Sequence, residues 1–330
     1  MKLKVIESKS YDPYTNLALE EWLLNAMEED EVILYLWQNA QTVVIGRNQN
    51  AWKECNVSRL EAEGGHLARR LSGGGAVYHD LGNMNFTFLA HKAHYDTAKQ
   101  NDVIFRALRA LGFEAEKSGR NDLLVEGKKI SGHAYYEHNG RCYHHGTLLV
   151  DVDKEKMSHY LNVAPDKLKG KGVSSVKSRV GNLAQMKEDL NIDELKSALK
   201  TAFADVYEGE PDVWALEDVN QEQWAGLTEC YGSWAWKFGR KFSFDINHGN
   251  RFAWGRVDLA LKIDEGVIVD AEVYSDALVP DMIDALVPAL LGTRYESGAI
   301  AEKISAQAQK SHDYKAYLEE LAEWARHIEC

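Results

Sequence analysis

The sequence predicts an α+β fold, in which strands and helices are mixed without a regular alternation. Short runs of β-branched and aromatic residues recur along the chain, and only some of them are separated by segments with helical spacing of apolar residues. A doubly wound parallel sheet would need a strict strand-helix rhythm, which is missing here. The 330 residues also exceed the ~100–200 residues of a typical domain, so we expect two domains.

The first part of the chain predicts one helix and two strand pairs. Residues 16–27 place leucines and Met27 on one side of a helix. Residues 32–37 and 42–46 are β-branched and aromatic runs separated by a polar stretch, which predicts that they pair with each other. Residues 77–79 and 85–89 predict a second pair.

The middle of the chain predicts two further helices, a hairpin and a strand. Ile104, Leu108 and Leu111 indicate a helix that ends at Gly112. Residues 123–131 form a hairpin signal with glycine at the turn, and residues 144–150 follow as a strand. A helix over 192–207 is expected to begin at the capping residue Asn191.

A second domain is expected to begin near residue 245. Residues 245–250 are polar and contain glycine, which favours a linker, and residues 256–263 and 267–274 predict a hairpin. Helices near 281–291, 298–309 and 313–328 would cover the apolar face of this hairpin. We therefore expect one large domain over 1–244 and a small α+β domain over 245–330.

Charge and composition exclude several classes of protein. Thirty-eight basic against 51 acidic residues give a net charge of −13, which opposes binding to nucleic acid. No window approaches the ~18 consecutive apolar residues of a membrane span. The charged N-terminus is unlike a secretory signal, and the four scattered cysteines favour reduced thiols, so we expect a cytoplasmic protein.

One basic segment stands out on this acidic chain. Residues 167–179 contain four lysines and one arginine, namely Lys167, Lys169, Lys171, Lys177 and Arg179. Such a segment can be an ordinary solvated surface or a local patch that attracts an acidic partner. The sequence leaves both interpretations open.

The strongest motif is the glycine loop that follows Arg69 and Arg70. Three consecutive glycines, Gly73 to Gly75, leave backbone N–H groups unobstructed for a phosphate or carboxylate, and the arginines supply charge. The alternative is a merely flexible loop. The motif is not a Walker A loop, because no Gly-Lys-Ser/Thr follows it, and it is not a dinucleotide-binding fingerprint, because the glycines are contiguous.

Two further segments carry polar side chains on predicted strands. Strand alternation would place Lys129 and Ser131 on one face and Ile130 on the other, so that Lys129 could face a polar pocket. A surface lysine is the alternative. His144 and His145 should point to opposite sides of their strand, which makes a pocket-lining histidine a better interpretation than a zinc site.

These motifs, in this order, resemble the bacterial lipoate-protein ligases. The resemblance is carried by the segments Arg70-x-Ser-Gly-Gly-Gly-Ala-Val-x-His-Asp-x-Gly-Asn, Gly-Arg-Asn-Asp-Leu from Gly119, Lys129-Ile-Ser-Gly and His145-Gly-Thr. Tyr11-Asp12-Pro13 and Trp37-Gln38-Asn39 add to it. It is dense over the first ~240 residues and looser beyond. It implies the biotin/lipoate ligase fold, with a mixed central sheet related to class II aminoacyl-tRNA synthetases.

The resemblance also implies an activity and its residues. Lipoate would be activated by ATP as lipoyl-adenylate, and the lipoyl group would pass to a lysine of a 2-oxoacid dehydrogenase lipoyl domain or of the glycine-cleavage H protein. Lys129 would be catalytic and contact both substrates. The expected ATP or adenylate contacts are Arg70, Gly75, Ala76, Val77, Tyr78, Asn83, Asp122, Lys171, Ser174, Ser175 and Val176. The expected lipoate contacts are Trp37, Val44, Arg70, Ser72, His79 and His145.

The same resemblance implies Mg²⁺ at Asp122 and an adenylate-binding loop over 171–178, and we expect a monomer. The nearest alternative is an octanoyl or lipoyl acyltransferase of the same fold, which uses a cysteine nucleophile; none of the four cysteines lies in the segments where that cysteine is expected. A non-catalytic lipoate-binding protein is a further alternative, opposed by Arg70, Lys129 and Asp122 together. A biotin ligase is disfavoured because its Gly-Arg-Gly-Arg loop is missing. Neither the preferred acceptor nor the choice between lipoate and octanoate follows from the sequence.

Overall fold

The computed structural model describes residues 1–119, 121–162 and 180–330. The chain divides into two compact units. The first unit comprises Met1–Val44, Ala51–Arg69 and Ala76–Lys237, and the second comprises Ile45–Asn50, Arg70–Gly75 and Phe238–Cys330. The basic segment 167–179, with the predicted adenylate contacts Lys171, Ser174, Ser175 and Val176, lies outside the described residues.

The first unit is built on a mixed eight-stranded sheet. Its strands are β1 (Lys2–Glu7), β2 (Glu31–Trp37), β6 (Asn83–His91), β7 (Ala115–Ser118), β8 (Asp122–Val125), β9 (Lys128–His138), β10 (Arg141–Leu149) and β11 (Asp212–Val213). Their spatial order is β11-β1-β2-β6-β10-β9-β8-β7. A small sheet of order β4-β3-β5 joins β3 (Thr42–Ile45), β4 (His66–Arg69) and β5 (Val77–His79). Parallel and antiparallel pairs occur in the large sheet, as expected for an α+β fold.

The helices of the first unit lie on both faces of the large sheet. They are α1 (Pro13–Ala26), α2 (Ala51–Glu54), α3 (Val57–Ala62), α4 (Thr97–Ala110), α5 (Lys154–Tyr160), α6 (Ile192–Tyr207), α7 (Gln221–Gly232) and α8 (Trp234–Phe238). No helix among the described residues is long and apolar enough to cross a membrane.

Strand β6 shows how the two faces of the sheet differ. Met84, Phe86 and Phe88 are completely buried in the apolar core that α4 and α6 cover. The alternating residues Asn85 and Thr87 are also buried but polar, and they lie on the face against which α1 packs. Buried polar groups require hydrogen-bond partners, which either the protein or a bound ligand supplies. The α1 face is therefore the candidate location of a ligand-binding site.

The N-termini of α1, α4 and α6 carry side-chain caps, and the sequence prediction missed the start of one of them. Helix α1 begins at Pro13, three residues earlier than predicted, because the Asp12 side chain accepts a hydrogen bond from Thr15 N–H and proline suits the first helical position. The prediction for α6 is confirmed, since Asn191 caps it through Glu194 N–H. The end predicted for α4 at Gly112, whose φ is +89°, is also confirmed.

The predicted hairpin is confirmed, and both predicted strand pairs are wrong. β2 does not pair with β3, because β1 and β6 occupy both of its edges. β3 instead pairs with β5, which in turn does not pair with β6. The runs were placed correctly along the chain, but their partners are distant in sequence, and local spacing carries no information about such partners.

The second unit contains a three-stranded antiparallel sheet packed against helices. Its elements are β12 (Ile246–Phe252), β13 (Gly255–Asp264), β14 (Val267–Ser275), α9 (Pro280–Asp284), α10 (Leu286–Leu290), α11 (Ser297–Ala308) and α12 (Lys315–Ala325). The hairpin of β13 and β14 is confirmed. The linker interpretation of 245–250 is wrong, because Ile246 to Phe252 pair with β13. The helix predicted over 281–291 is divided at Ala285, shortly before Pro288, which cannot donate a backbone hydrogen bond.

Candidate active site

The β8–β9 hairpin places a lysine and a carboxylate side by side. Lys129 Nζ lies 2.7 Å from Asp122 Oδ1, and both side chains are about one-third exposed. The hairpin turns at Glu126 and Gly127, both of which have positive φ, and this turn fixes the register of the strands. A cation and an anion are thus held together where solvent or a ligand can reach them.

An irregularity in this hairpin separates Lys129 from Ser131. The pairing register shifts between Leu123, which lies opposite Ser131, and Leu124, which lies opposite Lys129. One residue of β9 is therefore accommodated as a bulge, and strict alternation fails. Ser131 is completely buried and bonds to His133, so the prediction that Lys129 and Ser131 share a face is wrong.

Asn121 fixes the segment that carries Asp122. Its carbonyl oxygen accepts a hydrogen bond from His133 N–H at 2.8 Å, and its side-chain Nδ2 donates to the His133 carbonyl oxygen at 2.8 Å. A Cβ at Gly132, the residue opposite Asp122, would lie 3.3 Å from Lys129 Nζ. The ammonium group therefore extends over Gly132, where a larger residue would crowd it.

The adjacent histidines point to opposite faces, as predicted. His145 Nδ1 donates to Glu20 Oε1 at 2.9 Å on the α1 side, since a carboxylate oxygen can only accept. The same Glu20 oxygen accepts from Thr87 Oγ1 at 2.7 Å, and Thr87 Oγ1 accepts from Trp37 Nε1 at 3.0 Å. One buried carboxylate thus orients two of the predicted lipoate contacts, Trp37 and His145.

The sequence analysis gave Glu20 no role. Glu20 is 2% exposed and lies on the helix face that also buries Leu23 and Leu24. A carboxylate at an apolar position of an amphipathic helix is the signal that could have identified it, because buried charges require partners.

His79 is held by a second polar cluster on the same side. Asn39 Nδ2 donates to His79 Nδ1 at 3.2 Å, and Asn39 Oδ1 accepts from Asn16 Nδ2 at 2.9 Å. Because an amide nitrogen only donates, His79 Nδ1 must be the acceptor. The His79 ring packs edge-on against the Trp37 indole, 6.1 Å between centroids. The structure therefore places His79 beside Trp37, which the Glu20 network links to His145.

The other predicted contacts of the first unit lie on strands or at their ends. Val44 and Val77 are paired between β3 and β5, Tyr78 is buried on β5, and Ala76 precedes it. Asn83 is completely buried, and its Nδ2 donates to Asn85 Oδ1 at 2.9 Å. Asn85 was not identified from the sequence.

On the opposite face, His144 belongs to a directional chain of hydrogen bonds. Gln100 Oε1 accepts from His144 Nδ1 at 3.1 Å, His144 Nε2 accepts from His133 Nδ1 at 2.8 Å, and His133 Nε2 accepts from Ser131 Oγ at 3.0 Å. Burial, together with smaller effects of the nearby Lys117 and Lys129, lowers the pKa of His133 to about 3. The pKa of His144 is also lowered well below its ordinary value, mainly by burial.

In the second unit, Arg70 organises the glycine loop. Its guanidinium donates to Ser72 Oγ at 3.0 Å and to the carbonyl oxygens of Gly73 at 2.6 Å and Gly75 at 2.9 Å. A Cβ at Gly73 would lie 2.1 Å from the carbonyl oxygen of Ala277, which also accepts from Gly74 N–H at 2.9 Å. Close packing against the backbone of Ala277 therefore requires glycine at position 73, whatever ligand the loop binds.

Two families of known sequence match this chain. Residues 12–204 match the family described as lipoyl protein ligase A/B catalytic domain, and residues 241–324 match the bacterial lipoate protein ligase C-terminus. Lipoate-protein ligase A of Psychrobacter cryohalolentis is 41% identical, with 98% of each chain covered. Lipoate-protein ligase A of Bdellovibrio bacteriovorus is 39% identical, with 98% of this chain and 97% of the relative covered.

Solved structures give the same result. P. falciparum LipL1 in complex with lipoate is similar with a TM-score of 0.86 and 30% identity, covering 99% of this chain and 100% of that one. Lipoate-protein ligase A bound with ATP is similar with a TM-score of 0.63 and 27% identity over 72% of this chain and 98% of that one. A bipartite lipoate protein ligase of Thermoplasma acidophilum, described with its E2 lipoyl domain, has a TM-score of 0.64 and 28% identity, covering 73% and 99%. The chain belongs to the lipoate-protein ligase A family.

Proposed function

We propose that this ligase joins lipoate to ATP as lipoyl-adenylate, releases pyrophosphate, and transfers the lipoyl group to a lysine of an acceptor protein. The observation that carries this proposal is the partly exposed pair of Lys129 and Asp122 on the β8–β9 hairpin, beside a sheet face that is polar and buried. Membership of the family supports lipoate and ATP as the substrates. The pair would lie beside their charged groups, the carboxylate and the phosphates.

In the first step, a lipoate carboxylate oxygen would bond to the α-phosphorus of ATP as the bond to pyrophosphate breaks. Two anions must approach each other, so fixed positive charge is the main requirement. Lys129 is the proposed cation that contacts both groups, and Lys117 adds to the positive field that lowers the pKa of His133. Arg70 and the backbone of Gly75 to Tyr78 are proposed phosphate contacts, Asn83 is a proposed adenylate contact, and Ser72 a proposed lipoate contact.

Asp122 is the proposed residue for Mg²⁺. Magnesium is typically held by one or two carboxylates together with substrate phosphates and water, so a single Asp122 beside the nucleotide fits this pattern. Its Oδ1 faces Lys129, and the residues described contain no cluster of three or more His, Cys, Asp or Glu that would form an all-protein site. The ion would neutralise charge on the phosphates.

In the second step, the acceptor lysine would attack the acyl carbon, form an amide bond and release AMP. The amine must be neutral to attack, and a cation such as Lys129 nearby would lower its pKa. Lipoyl domains of 2-oxoacid dehydrogenases and the glycine-cleavage H protein are the proposed acceptors. Lys171, Ser174, Ser175 and Val176 remain predicted adenylate contacts.

The acyltransferase alternative would need an activated cysteine. Cys55 and Cys142 are buried, which raises the pKa of Cys55 to about 12 and that of Cys142 to about 11. Neither is therefore a thiolate at neutral pH, which a nucleophile requires. Cys230 and Cys330 are exposed, on α7 and at position 330. The ligase assignment is favoured accordingly.

Three further points remain proposals. We propose a catalytic domain over 1–244 with an accessory domain over 245–330, a monomer, and a cytoplasmic location. Four free cysteines support the last point, since disulfides persist mainly in oxidising compartments.

The test is lipoate-dependent ATP–pyrophosphate exchange by the purified protein. Exchange that requires lipoate, followed by mass addition to a lipoyl domain in the presence of ATP, is the expected result. Acyl transfer from a lipoylated donor without ATP would instead support the acyltransferase.

A further inference from the structure

A row of residues crosses the sheet of the first unit, from Asp122 of the Lys129–Asp122 pair to Trp37. Asp122 lies opposite Gly132, Thr147 opposite Asn85, and Asn85 opposite Trp37. Gly132 N–H donates to Thr147 Oγ1 at 3.2 Å, which joins the two halves of the row. Residues that lie opposite each other on neighbouring strands point to the same face, so the five residues form a continuous floor across β8, β9, β10, β6 and β2.

Asn85 is the fourth residue of this row, between Thr147 and Trp37, and its side-chain amide has a free N–H donor. It is 2% exposed, and its Oδ1 is occupied by Asn83 Nδ2. Its Nδ2 has no hydrogen-bond partner among residues 1–119, 121–162 and 180–330. Buried amide groups are rarely left unpaired in folded proteins, so a ligand atom that accepts a hydrogen bond is the natural partner.

The spacing of the row matches the length of lipoate. Lys129 Nζ extends over Gly132 on β9, and β6 lies two strand spacings away, about 10 Å. Six bonds separate the carboxyl carbon of lipoate from its nearer sulfur, which is roughly 7–8 Å in an extended chain with C–C bonds of ~1.5 Å. Adding the ~3 Å of an ammonium–carboxylate hydrogen bond brings the sulfur to the strand of Asn85.

We propose that Asn85 is a specificity-determining residue whose Nδ2–H donates to a sulfur of the dithiolane ring, and that it makes the enzyme prefer lipoate over octanoate. The inference rests on the proposed function and names the substrate choice that this function leaves open. Sulfur is a weak acceptor, whereas the last methylene groups and the terminal methyl group of octanoate accept nothing and would leave the N–H unpaired. Trp37, one strand beyond, would close the end of the acyl site.

The test is the ratio of kcat/KM for lipoate to kcat/KM for octanoate, measured by ATP–pyrophosphate exchange in wild type and in Asn85→Leu. Leucine has a similar size and no donor, so the ratio should fall about tenfold, equivalent to about 1.4 kcal/mol. The matched control is Asn101→Leu, because Asn101 is another buried asparagine, bonded to Thr97 on the opposite side of the sheet. Its ratio should equal that of wild type.

A purely structural role for Asn85 would lower both kcat/KM values together and leave the ratio unchanged, which would overturn the proposal. A second measurement does not depend on the variant folding. Wild type should use lipoate about tenfold better than 5-cyclopentylpentanoate, in which methylene groups replace both ring sulfurs, and equal use would also overturn it. Absence of any lipoate-dependent exchange in wild type would instead refute the proposed function itself.

Discussion

Lys129 Nζ reaches across the hairpin to Asp122 Oδ1 at 2.7 Å. The contact joins two charged residues that the family resemblance predicts to bind the nucleotide. Both side chains are more than one-third exposed, so the pair contributes little to folding, about 0–1 kcal/mol for contacts of this kind. The ammonium is nevertheless fixed over Gly132 before any ligand arrives. Such preorganised charge is most effective against a transition state that accumulates negative charge.

Lys129→Ala should reduce lipoate-dependent ATP–pyrophosphate exchange by about 10²–10³-fold, the usual effect of losing one preorganised electrostatic contact. Thermal unfolding should change little, because the side chain is one-third exposed. Lys128→Ala, at the neighbouring exposed lysine, is the control and should retain activity. Near-normal exchange by Lys129→Ala would contradict its catalytic role.

Trp37→Val should broaden the range of carboxylic acids that the enzyme activates. The indole packs against Tyr35 and His79 and donates to Thr87, so a smaller residue opens space at the end of the row of Asn85. Exchange assays with a series of bulkier acids would measure the effect. If both the substrate range and the affinity for lipoate remain unchanged, Trp37 serves only in packing.

His133 and His144 should make the fold sensitive to acid. Their pKa values are lowered in the folded state, that of His133 to about 3, whereas unfolded histidines titrate near ~6.5. As the pH falls below ~6.5, the unfolded chain binds protons that the folded chain cannot, and the free energy of unfolding decreases by up to ~1.4 kcal/mol per pH unit for each histidine.

Urea denaturation between pH 7.5 and 5 would measure this slope. His133→Gln should flatten it, while His312→Gln, at an exposed position, should leave it unchanged. A slope that is identical in wild type and His133→Gln would show that other groups dominate.

Reversing the charge of Lys167 and Lys169 should slow association with an acidic acceptor domain. The net charge of −13 repels such a partner at long range, so a local basic segment is needed for encounter. Transfer by Lys167→Glu/Lys169→Glu should be slower and less sensitive to salt, with exchange nearly unchanged. Neutralising Lys171 or Lys177 should instead impair exchange. Wild-type transfer kinetics at low salt in the double variant would show an ordinary solvated surface.

The location of most elements was predictable because spacing and turn residues are local properties. The β8–β9 hairpin was found from Gly127, and the capped helix α6 from Asn191. Strand partners were not predictable in this way. β2 pairs with β6 across a separation of about fifty residues, and the polar stretch after Trp37 was taken for the turn of a hairpin that does not exist.

The candidate site was predictable from its motifs, and its supporting contacts were not. Lys129 and Asp122 were named from the sequence, and they lie in contact. The bulge that separates Lys129 from Ser131 depends on a register shift that alternation cannot reveal. Asn85 stood within a predicted strand, but its significance depends on its neighbours across the sheet, Trp37 and Thr147.

The hydrogen bond between Glu20 and His145 also constrains the order in which this chain can fold during its synthesis. The two residues are 125 positions apart, so the N-terminal helix leaves the ribosome long before its partner strand exists. Until then only Thr87, of the two partners Thr87 and His145, is available to the buried Glu20 carboxylate, and its incomplete hydrogen bonding opposes early docking of α1. The polar network around Trp37 is complete only after β10 has emerged, because β10 carries His145. A nascent chain arrested before His145 should therefore leave the α1 segment open to protease, whereas release of the finished protein should protect it.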